Sequence, residues 1–264
     1  MLSTFRLLWG YRGFVLGSVK REFQLKYRNS ILGAAWTVLN PLAMIVVYTV
    51  IFSQVMKARL PGVESGYAYS IYLCAGSLTW GLFAEIVGRA QNVFLENANL
   101  IKKISFPRMT LPVIVVVNAG VNFAIIFGLF LVFLLFFGFW PGWVVMAAIP
   151  VLLIQLLFSI GLGISLGVLN VFFRDVGQFF NVFLQFWFWF TPVVYPSSIL
   201  PERVRPLMEL NPMYAIVQSY QGIFVNGQGP NWGALLYPLV LGVALSLIGL
   251  RLFRKHVGEM VDEL

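Results

Sequence analysis

The sequence predicts an all-α integral membrane protein with six transmembrane helices, an N-terminal amphipathic interface helix, and a re-entrant hairpin between the fifth and sixth spans. Three observations carry this reading. The chain is 59% hydrophobic and 11% charged, against about 25% charged in soluble domains. Its charges leave long gaps; Met109 to Phe173 contains none, and a crossing needs only about 20 residues. The Lys and Arg residues also fall unevenly on the two sides that this threading creates. All of residues 1–264 read as one membrane domain.

Composition excludes several classes of function. A single cysteine, Cys74, excludes an internal disulfide and a thiolate-rich metal cluster, and a single histidine, His256, excludes a His-cluster zinc site. No metal ligand set and no catalytic dyad is visible, so an enzyme is not expected. No secretory signal peptide is expected either, because GFVLGSV (13–19) runs into Lys20 and Arg21 rather than small cleavage-site residues. The net charge of +8 suits positive-inside topology and anionic lipid better than nucleic acid in so apolar a chain.

Taken in order, residues 1–28 carry six Lys/Arg and one Glu. Phe5, Leu8, Trp9, Val15, Leu16, Val19 and Phe23 recur at three- and four-residue steps, with Arg12 interrupting the apolar face. This predicts a basic amphipathic helix on the membrane surface; a solvated basic tail is the alternative. The spans follow at about 31–56, 69–90, 111–138, 143–170, 177–195 and 232–252. Pro41 should kink the first, and Trp36 fits an interfacial aromatic belt. Glu85 and Arg89 close the second as an i,i+4 pair. Residues 96–106, short and partly basic, should form a surface helix ended by Pro107. FWPGW (139–143) breaks the long apolar run into two crossings. Ser159, Gly163 and Gly167 give the fourth span a small-residue face for close packing. GLGISLG there lacks the spacing of a dinucleotide motif, and no strand precedes it.

The fifth span is the informative one. At 100° per residue Gln178, Asn181, Gln185 and Trp189 share a face, while Phe179, Phe183, Phe186 and Phe190 fall on another. Such a polar row is costly against lipid and should point at protein or at a wet passage. Amides that merely join helices would look the same. Pro192, Pro196, Pro201, Pro206 and Pro212 then forbid a spanning helix. Residues 213–225 are apolar but too short to cross, which predicts a re-entrant or interfacial helix within a 196–225 hairpin.

Six spans with both termini on one side place fourteen Lys/Arg on that side (6, 12, 20, 21, 26, 28, 89, 102, 103, 108, 174, 251, 254 and 255) and four on the other (57, 59, 203 and 205). The rule that cationic loops stay in the cytoplasm then sets both termini inside. No GxxxxGK[ST] phosphate loop is present, so a pump built on this chain would draw energy from a partner or from an ion gradient.

Several stretches go further. LKYRNSILGAAWTVLNPL (25–42), NLIKKISFPRMTLP (99–112), NVFFRD (170–175), FWFTPVVYP (188–196) and NPMY (211–214) resemble, in order and over most of the chain, the permease subunits of polysaccharide-exporting ATP-binding cassette transporters. The likeness is greatest to the O-antigen exporters, with capsule and teichoic acid exporters as related alternatives. The resemblance implies a homodimer in the bacterial cytoplasmic membrane, two separate ATPase subunits that bind the ATP and Mg, and undecaprenyl-diphosphate-linked polysaccharide as cargo. No cofactor would be held by this chain.

By the same resemblance, Arg21, Lys26 and Arg28 would draw the lipid diphosphate to the interface helix. Glu96, Asn97, Leu100, Lys102 and Lys103 would couple to the ATPase, and 196–225 would be a periplasmic gate. Trp36, Asn40, Gln178, Asn181, Gln185 and Trp189 would line the substrate tunnel. A channel or ion-coupled transporter is the competing class. It usually places an ionisable residue near the midplane or shows inverted repeats, and neither is evident.

Overall fold

A computed structural model describes residues 9–26, 28, 30, 32–55, 60, 66–103 and 106–264. Among them every regular element is helical. Helix α1 is Arg12–Lys26, and α2 is Trp36–Tyr48, continued by a π-helical stretch Thr49–Val55. Helix α3 is Ala68–Ala90, followed by the short α4 (Val93–Glu96) and α5 (Ala98–Lys103). Helix α6 is Thr110–Phe136, α7 is Ala148–Phe172 behind a 3-10 segment Gly142–Ala147, and α8 is Asp175–Phe190. Helices α9 (Arg205–Glu209), α10 (Pro212–Asn226), α11 (Trp232–His256) and α12 (Glu259–Glu263) complete the chain.

Among the described residues four helices are long and apolar enough to cross a membrane: α3, α6, α7 with its 3-10 lead-in, and α11. The stretches expected as the first and fifth spans are helical over shorter lengths. Helix α2 starts only after a 3-10 turn at Gly33–Ala35, where Gly33 has φ +50°. Helix α8 has 16 residues, about 24 Å at 1.5 Å per residue, against a hydrocarbon core of about 30 Å. It stops at Phe190 because Thr191, which precedes Pro192, is extended (ψ 128°), as a residue before proline prefers.

Helix α3 is the most buried of the long helices, and α6 and α11 are the least. At the centre Phe83 stacks on Phe158 with ring centroids 5.6 Å apart, and Trp187 of α8 meets Phe83 edge-on at 5.1 Å. In lipid there is little hydrophobic drive between helices, so close packing must hold them together. Two small-residue faces supply it. The expected one, Ser159, Gly163 and Gly167, is buried, and a Cβ on Gly163 would come within 2.7 Å of Ala90 Cβ. The second was not anticipated. On it, a Cβ on Gly161 would lie 2.6 Å from Ser246 N, one on Gly242 3.0 Å from Phe158 backbone, and one on Gly249 2.9 Å from Ser165 Oγ. It locks α7 to α11.

Two local expectations change. The 96–106 helix is interrupted at Asn97, which leaves helical geometry (φ −105°, ψ 19°) and donates its side-chain N–H to Val93 O at 2.8 Å. That side chain competes with the helix ladder for a backbone carbonyl, as asparagine does. Helix α1 buries a narrower stripe than its periodicity suggested. Val15 and Val19 are buried while Trp9, Leu16 and Leu25 are exposed; Phe5 and Leu8 lie outside the described residues. Helix α11 also continues through Arg251 and Arg254 to His256, where cations in the last turn complement its dipole. Helix α12 then folds back, burying Met260 beside Ile101 and Phe253.

Candidate functional site

Helix α8 presents three faces, not two. Gly177 and Phe180 are buried, with Leu184, Trp187 and Phe188 packed against the core on the same side. Gln178, Asn181, Gln185 and Trp189 form the exposed polar row, and Phe179, Phe183, Phe186 and Phe190 form an exposed phenylalanine row. Within one chain the polar row is open, and it is tied down at one point: Gln91 Nε2 donates to Asn181 Oδ1 at 2.6 Å. Asn170 extends this contact. Its Nδ2 donates to Gln91 O (2.9 Å) and Asn92 Oδ1 (3.0 Å), and its Oδ1 accepts from Gly177 N (2.8 Å). The NVFFRD stretch thus sets the start of α8 against the end of α3. Gln91 Oε1 remains buried without a hydrogen-bond partner.

At its other end α8 runs into the hairpin, whose first stretch, 191–196, is packed, while most of 198–210 is exposed. Thr191 to Pro196 is not helical, so its carbonyls lack ladder partners and side chains must satisfy them. Tyr69 OH donates to Val194 O at 2.7 Å. Tyr72 OH lies between Pro192 O (3.0 Å) and Tyr195 O (2.8 Å), and Gln221 Nε2 donates to Pro192 O at 3.1 Å. Gly76 lets the segment approach, since a Cβ there would sit 2.7 Å from Gln221 Nε2 and 2.8 Å from Val193 O. Tyr195 OH donates to Trp189 O at 2.6 Å.

The NPMY stretch starts α10. Asn211 is the N-cap, its Oδ1 accepting from Met213 N (3.0 Å), with Pro212 at the first turn. The same Oδ1 accepts from Trp187 Nε1 at 2.7 Å, and Asn211 Nδ2 donates to Thr191 Oγ1 at 2.8 Å. One side chain therefore fastens α8, the hairpin and α10 together. Helix α10 buries Met213, Ile216, Val217, Tyr220, Ile223 and Phe224.

Trp36 and Asn40 lie elsewhere. They line a groove of about 360 Å3 between α2, α3 and α6, with Glu85 and Asn122 in its wall. No α8 residue lines that groove, so a single chain does not bring the two halves of the expected tunnel into one cavity. Beside it, the anticipated Glu85–Arg89 pair is present at 3.7 Å and belongs to a larger cluster. Glu22 of α1 pairs with Arg89 and accepts from Asn118 Nδ2, while Asn122 Nδ2 donates to Glu85 Oε2 at 3.0 Å.

Of the expected diphosphate-attracting residues, Arg21 and Arg28 are exposed, and the Lys26 side chain lies outside the described residues. Of the expected coupling residues, Glu96 and Lys102 are exposed and Leu100 packs on the core. Asn97 spends its amide on Val93, and the Lys103 side chain is not described. Sequence reasoning passed over Glu22, Gln91, Tyr69, Tyr72, Gly76 and Gln221. The available signal was polarity out of place: a glutamine inside the apolar 213–225 segment and two tyrosines three apart early in the second span.

Apolar helices of membrane-spanning length, beside a helix with an exposed polar face, define a multi-pass membrane protein. The chain belongs to the ABC-2 type transporter family, whose profile matches residues 15–225. It is 35% identical to the O-antigen export system permease protein RfbA of Myxococcus xanthus over the whole of both chains. It is 31% identical to the Klebsiella pneumoniae protein of that name, over 89% of this chain and 88% of the other. The polysialic acid transport protein KpsM of Escherichia coli is more distant, 18% identical over 91% of this chain and 92% of the other.

Proposed function

We propose that the chain is the channel-forming permease subunit of an ATP-driven exporter that moves lipid-diphosphate-linked O-antigen polysaccharide across the bacterial cytoplasmic membrane. The observation that carries this is end-to-end similarity, at 35% identity, to a protein named as an O-antigen export permease. The chemistry of α8 supports it. An exposed row of amides ending in an indole suits sugars, whose hydroxyls meet amides and whose apolar faces stack on rings. With no ionisable residue in that row, nothing grips a sliding polymer. The KpsM likeness makes capsule polymer the second reading of the cargo.

The basic end of the bundle faces the cytoplasm, and six crossings include the shorter α2 and α8. Two copies would turn their α8 rows and the Trp36–Asn40 faces toward a shared tunnel. The hairpin 196–225 would close it on the periplasmic side. Separate ATPase subunits would dock on α4 and α5, where Glu96 and Lys102 are exposed. Arg21, Lys26 and Arg28 would lower the cost of bringing the diphosphate to the inner leaflet.

Deletion of the gene is the test. Lipid-linked glycan should accumulate inside the cell, and complementation should return it to the surface. The permease should co-purify with an ATPase subunit, and alone it should hydrolyse no ATP. Glycan that still reaches the surface of the deletion strain would refute the reading.

A further inference from the structure

A second cavity is separate from the α8 row. It has a volume of about 730 Å3 and lies between the hairpin, α10 and the start of α11, within the range of about 300–1,000 Å3 typical of small-molecule sites. Its wall is built of tyrosines, amides and hydroxyls. Gln218 Nε2 donates to Ser197 Oγ at 2.9 Å and to Tyr214 OH at 2.8 Å, which holds the hairpin to α10 across the floor. Both N–H groups of Gln218 are thereby committed, leaving its Oε1 and the two hydroxyl protons for a ligand. Tyr237, whose hydroxyl is anchored on Leu210 O at 3.1 Å, adds a half-exposed ring.

Charge narrows the ligand. Among the described lining residues there is no Lys or Arg, and there is one carboxylate, Glu209. Among these described residues a phosphate or sulfate would meet no counter-charge and one repulsion, which disfavours a lipid phosphate headgroup. Aromatic faces with neutral donors and acceptors fit a saccharide, and Glu209 tolerates or favours an amine substituent.

The geometry points to a saccharide-binding site in this cavity, which takes a neutral or amine-bearing segment of glycan beside the hairpin as the polymer leaves the membrane. It rests on the export reading and on its sidedness. It differs from the tunnel row in position, because no α8 residue lines the cavity. A foothold here would bias a polymer against sliding back.

The test is photo-crosslinking in exporting cells, so that the native glycan is the probe. p-Benzoylphenylalanine is placed by amber suppression at Gln228, on the cavity rim. Parallel strains carry it at Trp189 in the polar row and at Trp143, 88% exposed and outside the cavity. After irradiation the permease is purified, blotted for abundance and stained for attached glycan.

A glycan ladder on the Gln228 strain is expected, about tenfold weaker per permease when Gln218→Ala or Tyr214→Phe is added, and absent at Trp143. Ser197→Ala, outside α10, is the second variant should those two reduce abundance. A ladder at Trp189 but none at Gln228 would overturn the site and leave the export reading standing. No ladder at either position would overturn both. A ladder equal at Gln228 and Trp143, or undiminished in the variants, would mean mere passage. A phospholipid adduct at Gln228 would assign the cavity to lipid instead.

Discussion

Gln91 Nε2 and Asn181 Oδ1 are hydrogen-bonded at 2.6 Å, which joins the end of α3 to the polar face of α8. Gln91 is also the last buried residue before α4 and α5. A displacement of those short helices therefore has a direct polar route to α8. The two partners are unequal, since Gln91 is 1% exposed whereas Asn181 is open.

Asn181→Ala should accordingly cost more stability than Gln178→Ala on the same exposed row. It strands the Gln91 amide, whose Oε1 already lacks a partner, at a cost of about 1–3 kcal/mol. Thermal unfolding of the purified protein in detergent checks the difference. Surface glycan per permease should fall with Asn181→Ala and with Gln91→Ala.

For the polar row itself, Gln185→Ala combined with Trp189→Ala should slow export severalfold without lowering abundance, because both side chains are exposed in the single chain. Quantitative blotting of permease and of surface glycan in the same cells reads this. Unchanged export would return the row to helix packing.

Gly76→Ala should disturb the hairpin, because its new Cβ would lie 2.7 Å from Gln221 Nε2 and 2.8 Å from Val193 O. Overpacking of this kind costs about 1–3 kcal/mol. Gly120→Ala, with open space around it, is the matched control. Protease accessibility of residues 191–211 should rise only in the first.

Asn211→Ala removes a helix cap and the acceptor for Trp187 Nε1. A loss of about 1–2 kcal/mol is expected. Asn211→Asp should recover most of it, because the carboxylate still accepts from Met213 N and Trp187 Nε1. Tryptophan emission should shift in the alanine variant and not in the aspartate one.

Arg89→Ala leaves Glu22 and Glu85 facing each other without their shared cation. Both partners are over a quarter exposed, so the loss of stability should stay below about 1 kcal/mol. The larger effect should be release of α1 from the bundle, seen as faster hydrogen exchange over residues 12–26.

Local patterns were legible in the chain, and contacts between distant segments were not. The one face shared by Gln178, Asn181, Gln185 and Trp189 follows from helical spacing, and the structure keeps that row exposed. The packed face of the same helix, Phe180, Leu184 and Trp187, has no compositional mark that separates it from the phenylalanine row; both are large and apolar. Glu22 offers the same lesson. Its partner Arg89 is 67 positions away, and sequence spacing pairs Arg89 only with Glu85. The α7–α11 seam was also hidden, because Gly161 and Gly242 become a seam only when brought together. Asn97 was misread for a different reason, since its side chain overrides a segment of good helix formers.

The carbonyls of Pro192, Val194 and Tyr195 are held by the side chains of Tyr69, Tyr72 and Gln221 rather than by a helical ladder. A backbone restrained in this way can be released one latch at a time, without unwinding any helix. Each freed oxygen can be taken over by water, so the segment can loosen and re-form repeatedly with little net change in its bonding.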